Sequence, residues 1–400
     1  MGISAALVVG GGIGGLAAAT ALARRGVTVD LVEIRDNFDV PGVGLGQPVN
    51  ALRALRDIGV VDEVLAAGFK FDRLRFCDRD GRVILDYAYR FSDDTLPLVA
   101  ALPREALHAI LIRAARAAGC RLILDTSVTD IRDRAESVEV TLSNGHQQGY
   151  DLVAGFDGIR SRTREWMFGS KYEPAHSGYS AWRVVVARPD DVRSMDFYQG
   201  LGSKTGFMPL TSEAMYLFHI CPEPEGAWYE KEELLPLLRE RLQQYGGIVG
   251  DVRDTLTEQH DIIYSPLQPL LVEEPWFKGR VVLGGDAAHV FPPHMTQGAG
   301  MALEDAVVLA EEVTSPGSDV RGALGRYFSR RYERCAFVSR FARRMIDDEQ
   351  RVKTPEDLLA AELAMRTQLP ERLAAADRVM NQPVLASDPR PVDDSIVSTS

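Results

Sequence analysis

The stretch VVGGGIGGLAAATALARRG, residues 8–26, decides how this 400-residue chain is read. An apolar run, residues 5–9, predicts a buried parallel strand that enters a cluster of glycines, and residues 16–24 predict a helix. Gly10, Gly12 and Gly15 satisfy G-x-G-x-x-G. The first permits a tight turn, the second lets backbone approach a pyrophosphate, and the third lets helix and strand pack closely. The helix N-terminus adds unpaired N–H groups that suit phosphate oxygens. A second strand, residues 27–32, ends at Glu33, and 33 − 15 = 18 residues beyond the last glycine is near the place of a carboxylate that accepts from a ribose 2′-hydroxyl. That acceptor favours an unphosphorylated adenosine ribose. The motif alone leaves flavin and nicotinamide dinucleotides both open.

Beyond this unit, residues 48–58 and 60–67 predict short helices, and residues 74–87 predict two strands around Asp78-Arg79-Asp80-Gly81. Residues 103–118 form a helix punctuated by Pro103 at its start and Gly119 at its end. Strands follow over residues 121–142, then an Asn144-Gly145 turn and the apolar run 152–156, which stops at Asp157-Gly158. From residue 177 to 264 the alternation of strand and helix gives way to strands such as 181–187, 207–210 and 215–220, with a charged helix at 232–244. It returns with a buried strand at 280–283 and helices through 344. The expected fold is therefore α/β: a nucleotide-binding domain interrupted by a mainly antiparallel β insertion, with helices at the C-terminus. The expected division is 1–72, 97–176 and 276–345 for the first domain, 73–96 and 177–275 for the insertion, 346–381 for a helical segment and 382–400 for a disordered tail.

Composition narrows the function. With 46% hydrophobic and 26% charged residues the chain has ordinary globular usage, enough for two domains. A net charge of −12 argues against a nucleic-acid or anionic-membrane surface, which needs a positive patch. Cys77, Cys120, Cys221 and Cys335 are widely spaced without a C-x-x-C pair, which predicts neither a zinc site nor a disulfide framework, and no metal is expected. Free thiols, no membrane span and no secretory leader predict a cytoplasmic protein, monomeric or homodimeric.

Two further strands end in acid. Residues 151–164, DLVAGFDGIRSRTR, and residues 280–313, which begin RVVLGGDAAHVFPPHMTQGAG, deliver Asp157 and Asp286 to the carboxyl edge of the sheet, where ligands of α/β folds bind. There Asp286 is placed to accept from ribityl hydroxyls. Thr296-Gln297-Gly298-Ala299-Gly300 then opens a helix whose positive end suits an anion.

These three motifs, in this order and spacing, resemble the group A, single-component FAD-dependent aromatic hydroxylases, similar to the hydroxybenzoate, salicylate and 6-hydroxynicotinate enzymes; the resemblance covers residues 1 to about 345. It implies a Rossmann-like FAD-binding domain of the GR2 flavoprotein type. It also implies noncovalent FAD, NADH or NADPH as a transient co-substrate without its own nucleotide domain, and O2. A flavin C4a-hydroperoxide would hydroxylate a small aromatic or N-heteroaromatic substrate. Carried over residue by residue, Gly10, Gly12, Ile13, Gly14 and Gly15 cradle the cofactor, Glu33 and Arg35 attend its adenosine ribose, Arg104 its phosphates or ribityl chain, and Val128 its adenine. Asp157 serves FAD and NAD(P)H, Gly285 and Asp286 hold the ribityl chain, and Pro293, Gly298, Ala299 and Gly300 border the flavin ring. Phe156 departs from the pattern, which places a small residue before Asp-Gly.

Each residue has a plainer reading beside this one. Asp157 and Asp286 also suit the lesser role of capping the helices after them, and His289 reads as structural. His294 divides between substrate contact and loop packing, and with His219 it is a candidate base for deprotonating a ring hydroxyl. Arg183 either holds a carboxylate or pairs within the sheet. Tyr198 and Tyr216 belong to a cluster with Phe197, Phe207, Met208 and Phe218 that divides between core and pocket, since neighbours on a strand face opposite ways. The arginines from Arg330 to Arg344 read as a solvated helix face. Two other functions remain beside the hydroxylase: a double-bond reductase of the same superfamily, like geranylgeranyl reductases, and a flavoprotein without activity.

Overall fold

The computed structural model describes residues 2–39, 42–89, 95–317 and 319–385. Four residues of the expected tail 382–400, residues 382–385, are among those described; 386–400 lie outside the described residues.

A six-stranded sheet carries the glycine motif. Its order is Phe277–Lys278, Val281–Leu283, Leu152–Gly155, Ala5–Val9, Thr28–Val32, Arg121–Ile123, all parallel except the first pair. The central strands are apolar throughout because they are buried in one core with the helices and with a three-stranded antiparallel sheet, Val128–Asp133, Val138–Leu142 and Gln147–Tyr150. From Ala5–Val9 the chain first moves toward Thr28–Val32 and later crosses to Leu152–Gly155 on the other side, so the glycine turn stands where the strand order reverses. Such reversals open a crevice at the carboxyl ends of the strands. Helix Ile13–Arg24 leaves this turn, rich in alanine, which favours helix and keeps its surface low. It packs against helix Gly298–Thr314, and the arginine-bearing helix Val320–Gln350 backs that one in turn.

A second sheet of seven strands runs Ile263–Pro266, Tyr179–Ala187, Ala214–Pro222, Lys204–Pro209, Met195–Gln199, Arg73–Cys77, Val83–Ala88, antiparallel except where Met195–Gln199 meets Arg73–Cys77. Two stretches of chain distant in sequence thus share one sheet. One face, with Trp182, Val184, Phe207 and Leu217, packs on helices Lys231–Arg241 and Gly247–Thr255. The opposite face, with Ala181, Phe197, Met208, Tyr216 and Phe218, turns toward the first sheet's carboxyl edge. A three-stranded sheet, Gly44–Pro48, Val99–Pro103 and Phe69–Phe71, joins the two. Helices Pro355–Thr367 and Leu369–Asn381 pack against this inner-face cluster through Met365, Leu369 and Leu373, beside Val83–Ala88.

Candidate functional site

Gly10 has φ +107°, and a Cβ there would meet Phe156 O at 2.4 Å, so only glycine makes this turn. A Cβ on Gly15 would lie 1.9 Å from Gly10 O, which is the close helix–strand approach expected of the third motif glycine. Gly12, the residue before the helix, has nothing within 4 Å of its Cβ position, and neither does Gly298 at the start of the other helix. Both helices therefore present bare backbone to open space. Ile13, Gly14 and Gly15 lie inside the first helix turn.

Phe156, the departure from pattern, is accommodated by glycine. Cβ atoms on Gly14 and Gly284 would meet its ring at 2.9 and 2.3 Å, and the ring fills the space between the glycine turn and the Gly284-Gly285-Asp286 turn. The large residue costs the fold nothing because two side chains opposite it are missing.

Glu33 sits at the end of its strand. Its carboxylate accepts from Gly11 N–H at 2.6 Å and from Arg35 N–H at 3.0 Å, tying the ribose-side loop to the glycine turn. Arg35 spends its guanidinium on the Asp39 carbonyl at 2.8 Å. Asp125 and Thr126, just before Val128, donate backbone N–H groups to Arg35 O and Glu33 O, which brings Val128 beside the same loop. The motif reading missed His108, buried one turn after Arg104, whose Nε2–H is positioned to donate to Gly11 O at 2.7 Å. A histidine at i+4 from the helix-start arginine was the available signal.

Arg104 opens helix Arg104–Ala117 in the cleft, with a buried Nε that has no partner among the described residues. Burial pulls its pKa down while Asp286 pulls it up. Asp286 itself stays accessible to solvent although protein crowds it closely; that crowding raises its pKa against the pull of His289 and Arg104. Gly285 has φ +57° and donates its N–H to Asp305 at 2.9 Å. Gln47, wholly buried, has both amide atoms unpartnered among the described residues. Bare glycine backbone, orphaned polar atoms and an accessible acid along one crevice fit a dinucleotide cofactor.

Asp157 is tied to the helix that follows it. Its carboxylate accepts from Ser161 Oγ at 2.5 Å and from Thr163 N–H and Oγ1 at 2.9 Å each, so it organises the start of helix Arg162–Phe168, whose capping residue is Ser161, accepting from Arg164 N–H at 2.9 Å. Oδ1 takes one of these bonds and Oδ2 two, and the residue is half-buried.

Helix Gly298–Thr314 is fixed by buried charge. Gln297 and Asn50 exchange amide bonds at 3.0 and 3.2 Å, and Asn50 also donates to Glu304 at 2.9 Å. Glu304 is held by Arg331 and Arg334, and Asp305 by Arg331 and His289, each at 2.6 Å. Arg331 is fully buried and Arg334 nearly so, which overturns the solvated-face reading for these two: the acids they meet, Glu304 and Asp305, face inward from an otherwise apolar helix. Burial opposes charge on His289, yet Cys335 and Asp305 push it up to about 10, so it is a structural cation. His289, Asp305 and Cys335 gather their donor atoms within 4.8 Å, but Asp305 is already saturated by His289, Arg331 and the Gly285 amide, and ion pairing accounts for the cluster.

On the inner face of the seven-stranded sheet, Arg183, Phe197, Lys204, Tyr216 and Phe218 line a narrow pocket closed by Pro293 and His294. Arg183 donates to Ser265 Oγ at 2.8 Å, and among the described residues it has no acidic partner; burial lowers its pKa. His294 meets Glu349 at 3.1 Å, which also binds Lys204 at 2.6 Å. Burial and then Lys204 hold the His294 pKa below its ordinary value, and its Nδ1 is unpartnered. Burial raises Glu349, but Lys204 and His294 override it and hold the carboxylate at about 2.

Two predicted residues do not reach this pocket. His219 alternates with Phe218 and points to the helix-covered face, its ring 6.0 Å from that of Tyr245, and burial depresses it to about 3. Tyr198 alternates with Phe197 and packs edge-on against Phe207 on that same face. Strand parity is the reason for both corrections.

Residues 4–342 match the FAD binding domain family. The chain is 35% identical over 344 residues to the putative FAD-dependent monooxygenase YetM of Bacillus subtilis, covering 85% of this chain and 92% of that one. It is 30% identical over 311 residues to the 2-heptyl-3-hydroxy-4(1H)-quinolone synthase of Pseudomonas aeruginosa, covering 76% and 79%. The structure of Klebsiella pneumoniae HpxO complexed with FAD and uric acid superposes with a TM-score of 0.83 at 23% identity, over 94% of this chain and 96% of that one. Among the described residues no helix is long and apolar enough to cross a membrane. The chain belongs to the FAD-binding family and is an oxidoreductase of the FAD-dependent monooxygenase type.

Proposed function

We propose that this protein uses NADH or NADPH and O2 to hydroxylate a small aromatic or N-heteroaromatic ring carrying an anionic oxygen group. The observation that carries this reading is Arg183, a sheet cation without an acidic partner among the described residues, beside Tyr216 in a pocket walled by Phe197 and Phe218. Aromatic walls recognise a ring, and an unpaired guanidinium in a low-dielectric setting recognises a carboxylate or phenolate. Relatives named for quinolone and 6-hydroxynicotinate chemistry, and a structural neighbour holding uric acid, favour the same substrate class.

Residues 1–72, 97–176 and 276–345 act as the FAD-binding unit, and 73–96 with 177–275 as the substrate unit; the six- and seven-stranded sheets divide in this way, while Leu270–Leu271 of the second unit pairs with His289–Val290 of the first. The glycine turn and helix Ile13–Arg24 hold the pyrophosphate, Glu33 the ribose, and Arg104 with Asp286 the middle of the noncovalently held cofactor. Bound FAD supplies the oxygen-activating redox chemistry. The protein excludes water by roofing the crevice with the inner face of the seven-stranded sheet, and the N-terminus of helix Gly298–Thr314 offers positive potential at its rim. His294, with Nδ1 free and its pKa depressed, is a neutral acceptor for a ring-hydroxyl proton. A cytoplasmic monomer or homodimer is the expected form.

The test is a panel of hydroxylated benzoates, pyridines, purines and quinolines, with NAD(P)H oxidation, O2 uptake, H2O2 and 18O incorporation measured together. One 18O atom in the product is expected. Substrate-dependent NAD(P)H oxidation that consumes no O2 would instead mark a double-bond reductase and end the hydroxylase reading. Gly298→Val serves as the placement control: nothing lies within 4 Å of its Cβ, so the fold persists while hydroxylation uncouples to H2O2. Unaltered coupling would remove the ring from this turn.

A further inference from the structure

A larger cavity, about 590 Å3, shares lining residues with the narrow pocket and opens to solvent beside the two C-terminal helices, which supply one of its walls. The two spaces share Phe197 and Lys204 as a common wall, and Glu349, bonded to His294 of the narrow pocket, lines the larger one.

The charges in the larger cavity are already matched. Lys204 pairs with Glu349 at 2.6 Å, Asp348 with Arg372 at 2.7 Å, and Asp357 accepts from the Lys353 and Thr354 amides at 3.0 and 2.9 Å. Arg344 and Asp347 stand exposed at the mouth. Of the other polar lining residues, Arg351 pairs with Asp348 at 3.2 Å, Gln199 donates to Gly200 O at 3.1 Å and Gln368 accepts from Arg372 at 3.4 Å; the apolar lining includes Phe76, Phe197, Met345, Ala361, Ala364 and Met365. An aliphatic group entering here leaves no buried polar atom without its partner, whereas a polar one finds few free groups to bind. The volume lies within the roughly 300–1,000 Å3 of small-molecule sites. The narrow pocket, about 20 Å3, admits a ring only when the wall it shares with the larger cavity, Phe197 and Lys204, yields.

We propose that the larger cavity is the second compartment of the substrate site and takes an unbranched alkyl extension of the substrate, whose ring sits on the Arg183 side of the shared wall. The proposal rests on the aromatic-substrate reading and names its class further: a ring anion with an aliphatic tail. Lys204 stands at the junction, and the alanines at 361 and 364 keep helix Pro355–Thr367 from filling the tail's space.

Calorimetric titration of FAD-loaded protein with 4-hydroxyquinoline and its 2-propyl, 2-pentyl and 2-heptyl homologues tests this without turnover. Affinity should rise by about fourfold per methylene, the increment expected for burying CH2 groups, and plateau when the cavity is full. Ala364→Phe, or Ala361→Phe if the first variant loses FAD or Tm, should abolish that rise and leave the unsubstituted ring's Kd within about twofold. Leu363→Ala, on the exposed side of the same helix, should leave the rise intact. A heptyl homologue that binds no tighter than the parent ring overturns the proposal, and so does a chain-length gain that survives Ala364→Phe. Failure of the hydroxylase reading would show in the 18O measurement and leave these binding constants unmoved, so the two failures are separable.

Discussion

The glycine crevice and the inner face of the seven-stranded sheet place function on different parts of the chain. In the crevice the backbone makes the site, so the requirement falls on residue type: Gly10 because φ is positive, Gly15 because a carbonyl stands 1.9 Å from where its Cβ would be. On the sheet, side chains make the site, and the requirement falls on direction. Phe218 lines the pocket while His219, next in the chain, faces the covering helices. A backbone site tolerates few residue types but is indifferent to register. A side-chain site is rebuilt wholesale by a slip of one residue.

The sharpest way to break this contrast is at Gly15. Gly15→Val drives a side chain into Gly10 O, so the helix must separate from its strand; we expect no retained FAD and a large loss of Tm or of soluble protein. Gly12→Ala is its partner experiment. Its Cβ position is clear to 4 Å, so the apoprotein should melt like the wild type while FAD affinity falls. Apoprotein Tm and FAD titration of both variants separate packing from ligand approach. Equal apoprotein Tm values would show that the third glycine is not there for packing.

The next effect in size lies where the crevice does depend on a side chain. Phe156→Ala removes a buried ring that Gly14 and Gly284 leave room for and nothing else fills, so urea unfolding should report a loss of about 3–5 kcal/mol. A loss below 1 kcal/mol would mean the two glycine turns close on each other without it. Residue-type reasoning saw Phe156 as an anomaly because it weighed each position singly; the compensation by Gly14 and Gly284 exists only in three dimensions.

That is the general limit on what was legible. The glycine turn, Glu33, the Gly284-Gly285-Asp286 turn and the helix boundaries are local, and the structure places each at the crevice edge. Asp157 was legible as important but not as which of two things, because a helix cap and a ligand contact ask the same residue to stand in the same turn. The pairing of Arg331 and Arg334 with Glu304 and Asp305 crosses two helices, and no local pattern distinguishes an arginine that meets a buried acid from one that meets water. The cavity under the C-terminal helices depends on where those helices dock, which local periodicity does not encode.

On the sheet, opposite faces supply the contrast. Arg183→Gln keeps the strand and removes the unpaired cation; for an anionic ring substrate KM should rise roughly 10- to 100-fold with kcat less affected, the size of a lost charge-assisted hydrogen bond. Tyr198→Phe, on the far face, should leave KM and kcat unchanged. Steady-state kinetics on one authentic substrate decide it. A Tyr198 variant that raises KM as much as the Arg183 variant would erase the distinction between the faces.

The smallest effect concerns stability alone and follows from the sign of the histidine shifts. His219, depressed to about 3, stays neutral in the folded protein as pH falls from about 6.5, its ordinary value, while the unfolded chain takes up a proton. The unfolded state then binds more protons, so stability falls with pH across that window, by at most about 1.4 kcal/mol per pH unit for one such group. His289 works on the other limb. Raised to about 10, it contributes fully below pH 6.5, and that contribution is lost as pH rises toward 10. Maximum stability is therefore expected near pH 6.5, with Glu349 and Asp305, both held near 2, adding to the acid limb below about pH 4.5. His219→Gln removes one protonatable group from the helix-covered face, where it touches no substrate. Urea midpoints at pH 4.5, 5.5, 6.5 and 8 should show a shallower acid limb for the variant and an unaltered limb above pH 6.5, with KM the same as wild type. An acid limb as steep as the wild type's would mean that His219 titrates normally in the folded protein, and its burial between the sheet and Tyr245 would have to be given up.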